Sequence, residues 1–268
     1  TLVPCDASKM LRPVSGRATV DKSGGYLQYL GGKSRTASII ASYLKQVRGS
    51  RPYLEPFVGA AWVLAQMDGE RTACDIHPDL ILMWQSLQQG WQPPTSVTEE
   101  EYAALRYAAP STLRGFVGFG CSYSGKWFGG YARNSRGDNY AMQARNSCLI
   151  KLGRNYASNA HNSLLNKLTG IIGVDFHCID YRELNPRNML IYCDPPYANT
   201  TKYFQGFDST EFFNVMRSWS RNNIVVISEY SAPSDFVCVL EIPTRTDLHT
   251  TTGSKARVER LFRHESQL

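Results

Sequence analysis

The stretch "IYCDPPY", Ile191 to Tyr197, decides how this chain is read. It closes an apolar run, "MLIYC" (189–193), that reads as a buried strand. The run ends in one carboxylate, Asp194, then Pro195, Pro196 and the ring of Tyr197. Proline has no N–H and holds φ near about −65°, so the local carbonyls are acceptors fixed in place. Tyr197 offers a face for stacking. A carboxylate oxygen and a carbonyl can take both hydrogens of an aromatic –NH₂ while the ring stacks on its heterocycle. That favours a pyramidal nitrogen whose lone pair points at an electrophile. The catalysis is orientation and electrostatic preorganisation, with no covalent step. The bland alternative is a strand-ending turn, which Asp and Pro favour. The surrounding sequence weighs against it.

Outward from that strand, helix and strand signals alternate. Ser34–Val47 has a helical stripe of Ile39, Ile40, Tyr43, Leu44 and Val47. Strands are predicted at Tyr53–Phe57 and Arg71–Ile76, a short helix from about Ala60, and another just after Pro78. Further strands are predicted at 174–180, 189–193, 223–228 and 236–242. The helix over 209–220 is expected to open with a Ser or Thr cap. Short strands alternating with helices predict an α/β fold, a doubly wound, mostly parallel Rossmann-like sheet.

The halves are separated by a basic block. From Tyr102 to Lys167 there are nine Lys/Arg against a single acid, Asp138, so this segment carries +8 of the net +6 and the remainder sums to −2. Its centre, "RGFVGFGCSYSGKWFGGYARNSRGDNY", is dense in glycine and aromatics and reads as an inserted module of hairpins and loops. Seven scattered cysteines without a C-x-x-C pair support neither a zinc ribbon nor a disulfide framework. Cys74, Cys178 and Cys193 read as small buried hydrophobes. No structural metal and a reducing, cytoplasmic setting are expected. No run of about 18 apolar residues suggests a membrane span.

"GGKS" (31–34) is not a phosphate loop, because Leu27 stands where such a loop needs its first glycine. "EPFVGAAW" (55–62) follows a strand as a nucleotide-binding turn does, but lacks G-x-G-x-x-G. Asp75 and Asp180 each end a predicted strand. With Asp194 they place three acids on the carboxyl edge of the sheet, where open α/β sheets bind ligands.

"YLGGK" (29–33), "EPFVGAAWV" (55–63), "DIHPDL" (75–80) and the strand-closing "DPPY", in that order, resemble the Dam-like DNA adenine methyltransferases. "FHCIDY" (176–181) is similar to the family's acid-bearing strand, and "TTGSKARVERLF" to the endings of its phage-type members. The resemblance covers roughly residues 26–263. It implies S-adenosylmethionine as methyl donor and the 6-amino group of adenine in double-stranded DNA as acceptor, reached by base flipping. Tyr29 and Lys33 would contact the cofactor. Glu55, Phe57 and Gly59 would shape its methionine pocket, Asp75 would hold its ribose hydroxyls, Asp180 would approach its adenine, and Ile76 would also contact it. Asp194, Pro195, Pro196 and Tyr197 would receive the target base, with Asp194 also bordering the cofactor.

Residues 26–100 and 166–268 would then form the methyltransferase domain after a polar tail, 1–25. Residues 101–165 would be the target-recognition insert. There Lys126, Arg133 and Arg136 would grip DNA, and an exposed Trp127 or Tyr131 would fill the gap left by the flipped base. Two departures from the family stand out: Ala61 replaces its usual second glycine, and Glu229 stands where many relatives have Asn. A monomer is expected. The competing expectations are a catalytically inactive DNA-binding relative and an amino-group cytosine methyltransferase.

Overall fold

A computed structural model describes residues 32–132, 156–196, 207–245 and 256–268. Tyr29, Tyr197, Arg133 and Arg136 lie outside the described residues. The chain runs through α1 (Ala37–Arg48), β1 (Tyr53–Glu55), β2 (Arg71–Asp75) and α2 (Pro78–Gln88). Next come α3 (Glu99–Leu105), α4 (Thr112–Gly120), α5 (Tyr156–Leu165) and α6 (Leu168–Ile171). The second half holds β3 (Asp175–Cys178), β4 (Leu190–Cys193), α7 (Ser209–Trp219), β5 (Ile224–Glu229), β6 (Phe236–Arg245) and β7 (Ala256–His264).

The strands form a seven-stranded sheet in the order β3-β2-β1-β4-β5-β7-β6. β1 to β5 pair in parallel, and β7 runs antiparallel to both β5 and β6. The chain winds outward from β1 to β3, then starts again at β4 on the other side. The order therefore reverses between β1 and β4, and their carboxyl ends flank a crevice.

Period-two alternation sends each strand's side chains to two cores. Tyr53, Ala73, Tyr192 and Val226 face one core with α1, α2 and α4, while Leu54, Cys74, Ile191 and Val225 face the other with α7. Both faces are covered, as a doubly wound sheet requires. In α1, Ile40 and Leu44 are four residues apart on one face and fully buried. Each such side chain contributes about 1.5–3 kcal/mol by leaving water.

Several expectations need correcting. No α-helix starts at Ala60; a turn there leads into a 3-10 turn at Leu64–Gln66. The cap of α7 is Asp208, whose carboxylate accepts from the N–H groups of Thr210 and Glu211 at 2.8 and 3.2 Å. Cys178 is exposed, although Cys74 and Cys193 are buried. The start of the insert is helical rather than hairpin. α3 carries a capping box, with Thr98 and Glu101 each accepting the other's backbone N–H. α4 is deeply buried from Gly115 to Gly120, and Phe116, Val117 and Phe119 share the core of α1 and α2. Its glycines permit close contact: a Cβ on Gly115 would lie 2.3 Å from the Asp79 carbonyl, and one on Gly118 2.2 Å from the Trp127 ring. Glycine density here marks tight packing, not a loop.

Candidate active site

The crevice between β1 and β4 is lined by residues from four strand ends. Glu55 closes β1, Asp75 closes β2, Asp180 follows β3 and Asp194 follows β4. The turn after β1 bends tightly around Gly59 at φ 45° and Ala61 at φ 55°. Only glycine adopts such values without penalty. Ala61, the residue that departs from the family, is therefore held left-handed with its methyl group fully buried.

Asp75 organises this turn. One oxygen accepts the Gly59 N–H at 3.1 Å and the other the His77 N–H at 3.0 Å. Burial pushes its carboxyl up to about 6, although those N–H groups work the other way. Each oxygen still has a lone pair for a hydroxyl. Behind the turn, the Trp84 indole donates to the Gly59 carbonyl at 3.0 Å.

At the β4 end of the crevice, the Lys33 ammonium lies 2.8 Å from Asp194 and 3.2 Å from Glu259, and is itself buried. Burial opposes its charge, but the two carboxylates outweigh burial and hold its pKa above the ordinary lysine value. Glu259, on β7, also accepts from the Ser228 hydroxyl on β5. Asp194 is thus fixed through Lys33 to the antiparallel edge of the sheet. Glu55 accepts from the Tyr53 hydroxyl at 2.9 Å, and burial raises its pKa well above the usual carboxylate range.

The remaining cofactor expectations divide. Phe57 and the half-exposed Ile76 line the crevice and offer apolar surface to a flat ring. Phe57 stands 5.1 Å from the Tyr181 ring and 5.9 Å from that of Phe212. Asp180 lies there too, but Arg182 binds both its oxygens, at 2.9 and 2.7 Å. That ion pair lowers its pKa. Glu229 is buried at the end of β5, where it accepts the Tyr230 N–H at 2.8 Å.

The DNA-contact expectations fare differently. Lys126 is exposed. Trp127 is only half-buried, yet its ring stands 4.2 Å from that of His77 and carries the Arg114 guanidinium 5.1 Å from its centre. Tyr131 is not the exposed ring expected: it is buried, with its hydroxyl donating to the Val97 carbonyl at 2.5 Å. Of the block's nine cations, four are described. Arg106 and Lys126 face solvent, whereas Arg114 pairs with buried Asp79 at 2.7 Å and Lys167 is buried.

Glu259 and Arg182 escaped the sequence reading. "RVERLF" did hold a signal, since Glu259 sits two residues before Leu261 and so shares the buried face of β7. An acid on that face needs a cation. Nothing local says that the cation is Lys33.

The architecture is an open, doubly wound α/β sheet with an acid at the end of the second strand and a lysine-held carboxylate at the end of the fourth. Residues 29–108 match the model of the D12 class N6 adenine-specific DNA methyltransferases. The Dam-like resemblance is borne out. A comparison with curated proteins found no match. Among solved structures, the rRNA methyltransferase aviRa from Streptomyces viridochromogenes is similar at 14% identity and a TM-score of 0.37, over 92% of this chain and 90% of that one. TrmN from Thermus thermophilus is similar at 11% and 0.32, over 84% of this chain and 47% of that one. Likenesses this loose bear on neither site nor substrate.

Proposed function

We propose that the protein transfers a methyl group from S-adenosylmethionine to the 6-amino group of adenine in double-stranded DNA, taking the target base out of the helix stack to do so. The observation that carries this reading is Asp194, held by Lys33 at the crevice's edge and followed by Pro195 and Pro196.

The crevice suits the cofactor chemically. Glu55, Asp75, Asp180, Asp194, Asp208 and Glu211 line it against the cations Lys33 and Arg182. An excess of carboxylates favours a ligand carrying a sulfonium and an ammonium. Asp75 would accept the ribose hydroxyls. Ile76 would flank the adenine, with Phe57 beside it rather than in the methionine pocket expected from the sequence, and the Gly59–Ala61 turn and Glu55 would border the methionine part. When bound, the cofactor supplies an electrophilic methyl group whose bond to sulfur breaks with both electrons leaving on sulfur.

The chain's own residues prepare the acceptor. Asp194 and the Pro195 carbonyl would take the two amino hydrogens, and Tyr197 would stack on the base. The nitrogen's lone pair then forms the new N–CH₃ bond, and the nitrogen releases one proton towards Asp194 and solvent. Lys33 holds Asp194 at the angle this requires. An aromatic base must leave the duplex to reach a crevice formed at strand ends. Lys126 and Arg106, with Arg133 and Arg136, would meet phosphates.

A direct test is binding. S-Adenosylmethionine should bind the wild-type protein and bind Asp75→Asn more weakly, by calorimetry. Equal affinity for both would remove Asp75 from the site.

A further inference from the structure

Lys167 is buried and takes no part in the chemistry above. It lies just before α6, with 5% of its surface exposed. Its ammonium donates to the Ala60 carbonyl at 2.8 Å and sits 3.5 Å from the centre of the Trp62 ring. Among the described residues no acid pairs with it, and burial lowers its pKa to about 7. An unpaired ammonium is costly to bury. Its location is informative, because Ala60 and Trp62 both belong to the turn that lines the crevice.

The Ala60 carbonyl is one end of the 60–61 peptide. The other end, the Ala61 N–H, donates to the Val58 carbonyl at 2.8 Å. The two bonds fix the plane of that peptide. Rotating the plane changes ψ of Ala60 and φ of Ala61 together, and Ala61 stands at φ 55°. A residue with a Cβ leaves that region readily if nothing holds it there.

We propose that Lys167 is a positioning residue for the cofactor turn: its bond to the Ala60 carbonyl holds the 60–61 peptide in the orientation that keeps Ala61 left-handed and the crevice shaped for the methyl donor. This rests on the reading that the crevice takes S-adenosylmethionine. Without the ammonium, the peptide rotates to relieve Ala61 and the surface offered by Gly59, Ala61 and Trp62 changes. The other charged groups on the packed elements are committed elsewhere. Asp79 on α2 pairs with Arg114, His161 on α5 meets the Pro93 carbonyl, and Arg71 on β2 donates to the carbonyls of Gly170 and Ile172.

The test is a double-mutant cycle read by calorimetric titration of S-adenosylmethionine into wild type, Lys167→Met, Ala61→Gly and the double variant. Lys167→Met is expected to weaken binding about tenfold, the scale of one residue's left-handed strain. In the Ala61→Gly background, where that strain is absent, the loss should shrink to about twofold or less. Equal losses in both backgrounds, or no loss in either, overturn the proposal. A wild type that binds no S-adenosylmethionine instead removes the reading beneath it. Should Lys167→Met fail to fold, a pH series decides. Wild-type affinity relative to that of Ala61→Gly should fall between about pH 6 and 8 as the ammonium deprotonates, because the Asp75 titration is common to both proteins. Parallel curves overturn the proposal.

Discussion

At the scale of single residues, charge placement does most to define the site. Asp75 is a carboxyl whose pKa lies at about 6, so it becomes a full acceptor only as pH rises through that value. In the Ala61→Gly background, where Lys167 no longer matters, cofactor affinity should climb over the same range and level off above it, and Asp75→Asn should flatten the climb. Calorimetry from about pH 5 to 8 reads both curves. Glu259 shares Lys33 with Asp194. Glu259→Gln leaves the lysine's charge wholly to Asp194, weakening it as an acceptor and letting it drift. Turnover should fall about tenfold or more with cofactor affinity little changed, since preorganised groups act on the transition state. A loss confined to affinity would place Glu259 in cofactor binding instead. Asp194 and Asp75 are legible in the sequence because each follows an apolar strand. Glu259 is not, because its partner is set by the pairing of β5 with β7.

At the scale of elements, α4 shows where sequence pattern misleads. "TLRGFVGFG" lacks the composition of a good helix, since each glycine disfavours one by about 1 kcal/mol. Tertiary contact reverses that preference, because α4 lies where only glycine fits between Asp79 and Trp127. Gly118→Ala forces a Cβ against the Trp127 ring and should destabilise the fold by about 1–3 kcal/mol in urea titrations. A neutral result would mean the ring moves aside freely. The start of α6 carries a second test. Lys167 ionises near about 7 when folded and near about 10.4 when unfolded. Between those values the unfolded chain binds more protons, so stability rises with pH. Wild type should gain about 2 kcal/mol relative to Lys167→Met between about pH 7 and pH 9. A constant difference between the two would show that the lysine does not titrate in that range.

At the scale of the whole molecule, the alternation of strands and helices predicts the doubly wound sheet, and five parallel strands bear it out. The strand order is less legible, because where the chain reverses depends on which β-strands pair rather than on any local signal. The basic block is expected to be a target-recognition insert that grips DNA through Lys126, Arg133 and Arg136. The fold divides it, turning Arg114 inward to Asp79 and Lys167 inward to Ala60, since a count of charges carries no direction. Among the described residues, no group of His, Cys, Asp and Glu could hold a metal ion, and no helix is long and apolar enough to cross a membrane.

The central claim is methyl transfer to adenine through Asp194. Its most direct test is incubation of the protein with unmethylated double-stranded DNA and methyl-labelled S-adenosylmethionine, followed by digestion to nucleosides and mass spectrometry, with Asp194→Ala alongside. The account predicts labelled N6-methyl-2′-deoxyadenosine from the wild type and a rate at least about a hundredfold lower from the variant. Label on cytosine, equal label from both proteins, or no label on DNA would contradict it.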